Sequence, residues 1–244
     1  MNQKQIYISL LFSLLHLIVY AQNMDATDYE TLSKWHVTKE VSQQSVEEFG
    51  IENCFGEHII DDHIFARIKC LSYKENCTVS LNELRYIRLL HYGTNGEIRV
   101  GEMICNRAIS SEIISIFKAL YDAKYRIERI QLIDEFGADD QLSMANNNSS
   151  SFNFRYISGT TKLSKHSLGL AVDINPLYNP YVRTIGGRMV VEPTEAKEYA
   201  DRKKDFAYKI DQNDLCYKLF ISHGFTWGGN WNSSKDYQHF EKNL

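Results

Sequence analysis

The run Ser164-Lys165-His166-Ser167-Leu168-Gly169-Leu170-Ala171-Val172-Asp173-Ile174-Asn175 decides how this chain is read. Its first half, closing on Gly169, has the polarity and punctuation of a loop. Its second half alternates like a strand. Leu170, Val172 and Ile174 fall on the side facing the core, and Ala171, Asp173 and Asn175 fall on the other. Asp173 therefore sits on the open side of a strand that leaves a His-bearing loop. Asn175-Pro176 and Asn179-Pro180 end that strand, because proline cannot donate to a sheet ladder. At the far end of the chain, Asp236-Tyr237-Gln238-His239-Phe240-Glu241 reads as a strand over 235–241 with Tyr237, His239 and Glu241 on one face.

The stretches around this core are also legible. Ser80-Leu81-Asn82-Glu83 has the pattern of a capping box opening a helical turn. Leu-, Ile- and Tyr-rich sequence from Tyr86 to Tyr92 runs into Gly93-Thr94-Asn95-Gly96, and Glu97 to Cys105 alternates. The pattern predicts a β-hairpin over 85–105. Ile109, Ile113, Ile116, Phe117 and Leu120 recur at helical spacing, so 109–124 is an amphipathic helix whose apolar stripe is core. Ile127 to Ile133 reads as a further strand, and Asn146 to Ser151 as a polar loop. A helix over 214–222 stops at Gly224, followed by the aromatic turn Trp227-Gly228-Gly229-Asn230-Trp231. Interleaved strands and helices of this kind predict an α+β fold: a small antiparallel sheet with flanking helices. Residues 22–79 hold Trp35, Phe49 and Phe55 but no motif that carries chemistry.

Composition narrows the function classes. The chain has 244 residues, 27 Lys+Arg against 31 Asp+Glu, a net charge of −4 and 43% hydrophobic residues. Those are ordinary globular values and exclude a fibrous or wholly disordered protein. A mildly acidic balance without a basic run argues against nucleic acid as a partner. Lys4, the apolar run Ile6 to Tyr20 and the small residues at Val19 and Ala21 predict a secretory signal over residues 1–21. The run is short for a membrane span of about 20 residues. The expected mature chain is exported, periplasmic or extracellular, with no stable membrane insertion after cleavage. Five cysteines are too few for a disulfide scaffold, although Cys70 and Cys77 are close enough in sequence to staple a loop.

The chemistry lies in a joint pattern. A catalytic zinc takes three protein ligands and keeps an open position for water. His166 and Asp173 come from the loop–strand unit and His239 from the last strand, and nitrogen and carboxylate donors suit a borderline ion. Asp236, three residues before His239, can stand near the metal without binding it and take a proton from zinc-bound water. Singly, each of these residues is ordinary; together they are not.

Ser164-x-His166-x-x-Gly169-x-Ala171-x-Asp173, followed by Asp236-x-x-His239, resembles the signature of the zinc D-alanyl-D-alanine carboxypeptidases. That family includes vancomycin-resistance dipeptidases and phage L-alanyl-D-glutamate endopeptidases. Three blocks match in order: Asn146 to Arg155, Ser164 to Val182 and Trp227 to Glu241. The resemblance covers a catalytic domain at 80–244 and leaves 22–79 outside it. It implies His166, Asp173 and His239 as zinc ligands and Asp236 as the acidic general base. It implies Arg155 as stabiliser of the oxyanion, and Ser164 as a group that bonds substrate or orients a neighbour. Glu241 and Tyr237 become candidates to support the ligands, and Trp227 and Trp231 to line a groove or fill the core. The implied fold is that of the Hedgehog and D-Ala-D-Ala peptidase proteins, with zinc on the open face of the sheet. The implied activity is metal-assisted hydrolysis of amide bonds in peptidoglycan stem peptides; the chain is expected to act as a monomer. Three other readings stay open: a non-catalytic zinc module that binds wall or partner, a zinc hydrolase of a non-wall substrate, and a thiol enzyme using Cys216 and His223. The last is the weakest, since Cys216 lies in an apolar helix without an activating neighbour.

Overall fold

The predicted hairpin is the spine of the fold. In the computed structural model, which describes residues 27–157 and 159–244, β3 (Leu84–Tyr92) and β4 (Ile98–Asn106) pair antiparallel from Leu84↔Asn106 to Tyr92↔Ile98. Their connection is wider than a two-residue Asn-Gly turn, with the Gly93 and Glu97 backbones bonded at 2.9 Å. The Ser80–Glu83 capping box that enters the hairpin is formed. The expected export signal lies outside the described residues.

Sequence before residue 80 supplies both edges of this sheet. β1 (Glu40–Val41) pairs with β4 and β2 (Gly56–His58) with β3, giving the order β1-β4-β3-β2. The same region forms helices α1 (27–33), α2 (Gln43–Phe49) and α3 (Asp62–Ile68). The expected amphipathic helix is α4 (Ser110–Asp122). It lays buried Ile113, Ile116, Phe117 and Leu120 against β3, as its spacing requires. One continuous core runs from Leu32 to Phe240. Within it Phe220 and Phe240 stack with ring centroids 4.3 Å apart. Burying each such ring contributes about 1.5–3 kcal/mol.

Two smaller antiparallel sheets carry the chemistry-bearing residues. One has the order β10-β12-β7, from Thr226–Trp227, His239–Glu241 and Ala171–Asp173. The other has the order β11-β8-β9, from Ser234–Asp236, Tyr181–Ile185 and Arg188–Glu192. The single strand expected over 235–241 is thus two, β11 and β12, because its halves pair with different partners. At the bend between them Tyr237 N–H donates to Pro180 O, and Tyr237 O accepts from Trp227 Nε1. The backbone is satisfied sideways, and the ladder cannot run through.

Three further expectations need correction. The strand expected at 127–133 shrinks to β5 (Arg129–Ile130), which pairs parallel with β6 (Asn148–Ser149) before a 3₁₀ turn at Ile133–Phe136. The expected polar loop 146–151 contains β6 and lies mostly inside the protein. Asn148 exchanges bonds with Gln131 N and O and donates to Ser143 Oγ; Asn147 accepts from Leu177 N and donates to Glu128. Side-chain amides there stand in for missing ladder partners, so polarity does not mean exposure. β7 ends at Asp173, and Asn175 is buried with φ +46°, its amide bonded to Glu128 N and Arg126 O. Leu170, Val172 and Ile174 are core as expected, but Ala171 is buried too.

The last helix, α5 (Leu215–Ser222), starts on Asp214, whose carboxylate accepts from Cys216 and Tyr217 N–H, and stops before Gly224 at φ +80°. All five cysteines are free thiols, so Cys70 and Cys77 do not staple their loop. Among the described residues no helix is long and apolar enough to cross a membrane.

Candidate metal centre and active site

His166 is set by its own turn. Ser164 caps the 3₁₀ turn Lys165–Leu168, its Oγ accepting from His166 N–H at 3.2 Å. Gly169 closes the turn in the left-handed region at φ +65°. A Cβ there would stand 2.6 Å from Asn106 N, so only glycine lets the turn lie against β4. Asn106 N–H then donates to Gly169 O at 2.8 Å, tying the histidine turn to the central hairpin.

Asp173 and His239 are brought together by register. They face each other directly across the β7–β12 pair. His239 Nδ1 lies 3.0 Å from Asp173 Oδ1, His166 Nε2 lies 3.3 Å from Asp173 Oδ2, and the two ring nitrogens are 3.2 Å apart. One donor atom from each of the three residues falls within 4.8 Å of the others, an arrangement that could hold a metal ion.

Neighbouring groups settle which nitrogens point inward. His166 Nδ1 meets the Ser151 carbonyl at 2.6 Å, so that nitrogen carries the proton and Nε2 keeps its lone pair. His239 Nε2 meets Glu241 Oε2 at 3.1 Å, which leaves Nδ1 for the cluster. Backing of each ligating imidazole by a carbonyl or carboxylate is the normal support of a metal site. Two imidazole lone pairs and a carboxylate aimed at one point repel unless a cation lies between them, so the donor set fits zinc. Without an ion the cluster draws a proton instead. Burial opposes charge on His239, but Asp173 and Glu241 outweigh it and push its pKa up to about 10. Burial likewise opposes ionisation of Asp173, and the two histidines hold it well below the usual carboxylate range.

Asp236 stands beside this cluster. Gly228 makes room for it, since a Cβ on that glycine would lie 2.7 Å from Asp236 Cβ and 3.3 Å from His239 Cβ. Asp236 Oδ1 is sealed from solvent and has no hydrogen-bond partner. Burial and the Asp173 charge raise its pKa against the pull of His239, His166 and Gln238, leaving it at about 7. A carboxyl so placed is fit to take and return a proton near neutrality.

These groups open on a cleft of about 870 Å³. Arg155 lines it with its guanidinium paired to Asp140, a partner that no motif indicated. Ser164 also reaches the cleft wall, and its bond to His166 N–H makes it an orienting group. The two tryptophans divide. Trp227 is core, packed on Tyr217, whereas Trp231 lines the cleft with its ring 5.3 Å from that of His239. Tyr237 turns away from the metal cluster to stack under Arg202 at 4.3 Å. Cys216 is fully buried and its thiol is pushed well above its ordinary pKa, which removes the support for a thiolate nucleophile. Sequence reading missed the Ser151 carbonyl, Asp140 and the packing role of Gly228. The first is a backbone group without any sequence signal, and the others show only once the chain is folded.

No curated protein and no solved structure matches this chain. A family model does match, over a stretch that holds His166, Asp173, Asp236 and His239. Residues 158–242 match the D-alanyl-D-alanine carboxypeptidase family, which is the family that the spaced histidines and aspartates resemble.

Proposed function

We propose that this protein is an exported, monomeric zinc metallopeptidase that hydrolyses amide bonds in peptidoglycan stem peptides. It acts as a D-alanyl-D-alanine carboxypeptidase or an L-alanyl-D-glutamate endopeptidase, on the fold shared by Hedgehog and D-Ala-D-Ala peptidase proteins. The observation that carries this reading is the convergence of His166, Asp173 and His239 beside Asp236, whose Oδ1 is sealed from solvent and without a hydrogen-bond partner. The family match over 158–242 supports the reaction class. The apolar leader at residues 1–21 supports export.

His166 Nε2, His239 Nδ1 and an Asp173 oxygen would hold the zinc. Zinc there would supply a Lewis acid for the scissile carbonyl and would lower the pKa of water towards about 7. Asp236 Oδ1 takes the proton of the attacking water and returns it to the leaving amine nitrogen. Arg155, anchored to the cleft wall by Asp140, faces the oxyanion that develops on the carbonyl oxygen. Ser151 O and Glu241 hold both imidazoles in the tautomer that binds. Trp231 shields the His239 ring on its cleft side.

The test is mass spectrometry of muropeptides incubated with the purified protein, with and without a zinc chelator. Chelator-sensitive loss of a terminal D-alanine establishes the carboxypeptidase, and cleavage within the stem establishes the endopeptidase. Zinc bound at one equivalent with no turnover of any muropeptide overturns the peptidase reading.

A further inference from the structure

Four cationic side chains line the cleft: Lys74, Arg155, Lys165 and Arg183. Arg155 is paired with Asp140, and Arg183 with Glu192 at 2.7 Å. Lys165 donates to Asn243 Oδ1 at 2.6 Å, and its charge acts on Glu241, helping to lower that carboxylate's pKa. Lys74 differs. Its Nζ donates to the Phe154 carbonyl at 2.8 Å, and among the described residues no carboxylate pairs with it. An ammonium has three donors, and a neutral carbonyl satisfies one. A half-buried cation left in that state gains from a counter-ion.

Lys74 is also held in place. Ser72 donates from both its N–H and its Oγ to the Asp134 carboxylate, each at 2.9 Å. Phe154 N–H donates to Ser72 O at 3.0 Å, and Cys77 N–H to Lys74 O at 2.9 Å. The Tyr73 hydroxyl donates to Val79 O at 2.8 Å. The ammonium therefore rests on the peptide link that leads into Arg155. It belongs to sequence before residue 80, outside the stretch that matches the family.

We propose that Lys74 is an anchor for a substrate carboxylate: its ammonium binds a free carboxylate of a peptide lying in the cleft. On this inference, which rests on the metallopeptidase reading, the segment before residue 80 selects the stem peptides that the metal centre accepts.

The test uses the zinc-loaded full chain as wild type, Lys74→Gln and Lys74→Arg. The probes are stem pentapeptides with two free carboxylates, with the C-terminus amidated, or with the glutamate carboxylate amidated. Calorimetry gives binding and mass spectrometry gives kcat and KM, with circular dichroism and zinc content as checks on folding. For the peptide with both carboxylates free, Lys74→Gln is expected to weaken binding and raise KM about tenfold, the scale of a charge-assisted hydrogen bond, with kcat within about twofold. Lys74→Arg is expected to restore most of the affinity. One amidated peptide is expected to be insensitive to Lys74→Gln, and its identity distinguishes the C-terminal from the glutamate carboxylate. Equal weakening of all three peptides, or of none, overturns the anchor while leaving the peptidase intact. A wild type that binds the peptides through Lys74 but cleaves none overturns only the peptidase reading. A wild type that neither binds nor cleaves them overturns both.

Discussion

Glu241→Gln probes the metal centre without touching a proposed ligand. Glu241 lies two residues beyond His239 on β12, so both side chains project from the same face, and Oε2 meets His239 Nε2 at 3.1 Å. The hydrogen bond to His239 holds the Glu241 carboxyl below its ordinary pKa, so the group is a carboxylate at neutral pH. Its charge keeps a proton on Nε2, so Nδ1, facing Asp173 and His166, is the nitrogen that must give up its proton for a metal to bind. Glutamine keeps the shape and removes the charge, and its amide can turn an N–H towards the ring. That orientation drives the imidazole proton to Nδ1, where it blocks the metal. Loss of such a supporting partner weakens metal binding about 10- to 100-fold, or about 1.4–2.7 kcal/mol. Zinc affinity is read by competition with a chromophoric chelator, beside thermal unfolding of the metal-free protein as a control for packing. A Glu241→Gln protein of unchanged unfolding temperature that binds zinc within about twofold of wild type would refute the tautomer argument.

Asp236→Asn should keep its zinc and lose about 10²- to 10⁴-fold in kcat, whereas His166→Ala should lose both metal and activity; full activity of the asparagine variant rules out the assigned base. Gly228→Ala places a methyl 2.7 Å from Asp236 Cβ. Overpacking of that kind costs about 1–3 kcal/mol, so both unfolding temperature and zinc affinity should fall, and an unchanged unfolding temperature contradicts the packing. His91 is buried with Nδ1 bonded to Ile127 O at 2.8 Å, and burial lowers its pKa from 6.5 to about 4. Between those values the unfolded chain binds a proton that the folded chain refuses, so stability falls as pH drops, by up to about 3 kcal/mol at about 1.4 per pH unit. His91→Asn, whose amide can still donate to that carbonyl, should remove this contribution; denaturant melts of both proteins at stepped pH check it, and parallel pH profiles count against it.

The elements most legible in the sequence are those whose signal is local. The hairpin of β3 and β4, α4 and its apolar stripe, the Ser80–Glu83 cap and the helix that stops before Gly224 all follow from period, turn residues and caps within a few positions. The misread elements are those whose backbone is satisfied from a distance. The 146–151 segment is polar because its amides replace ladder bonds to the backbones of Gln131 and Leu177 and pair with the Glu128 carboxylate. The 235–241 strand breaks because β8 and β7 claim its two halves. Neither partner is visible at the sequence spacing of the segment itself.

The metal-site candidates were readable from residue type and spacing, because a loop–strand unit carries His166 and Asp173 together and a second motif carries Asp236 and His239. Residue types limit the chemistry: two imidazoles and a carboxylate bind a borderline cation wherever a fold collects them. Spacing alone cannot collect them. The β7–β12 register sets Asp173 opposite His239, the approach of Gly169 to β4 sets the His166 turn, and Gly228 leaves room for Asp236. Tautomer, burial and counter-charge come from groups scattered along the chain, namely Ser151 O, Glu241, Asp140 and the loop that carries Lys74. Hydrogen bonds and Coulombic fields act over a few ångströms of space whatever the distance along the chain, so that part of the site exists only once the chain is packed.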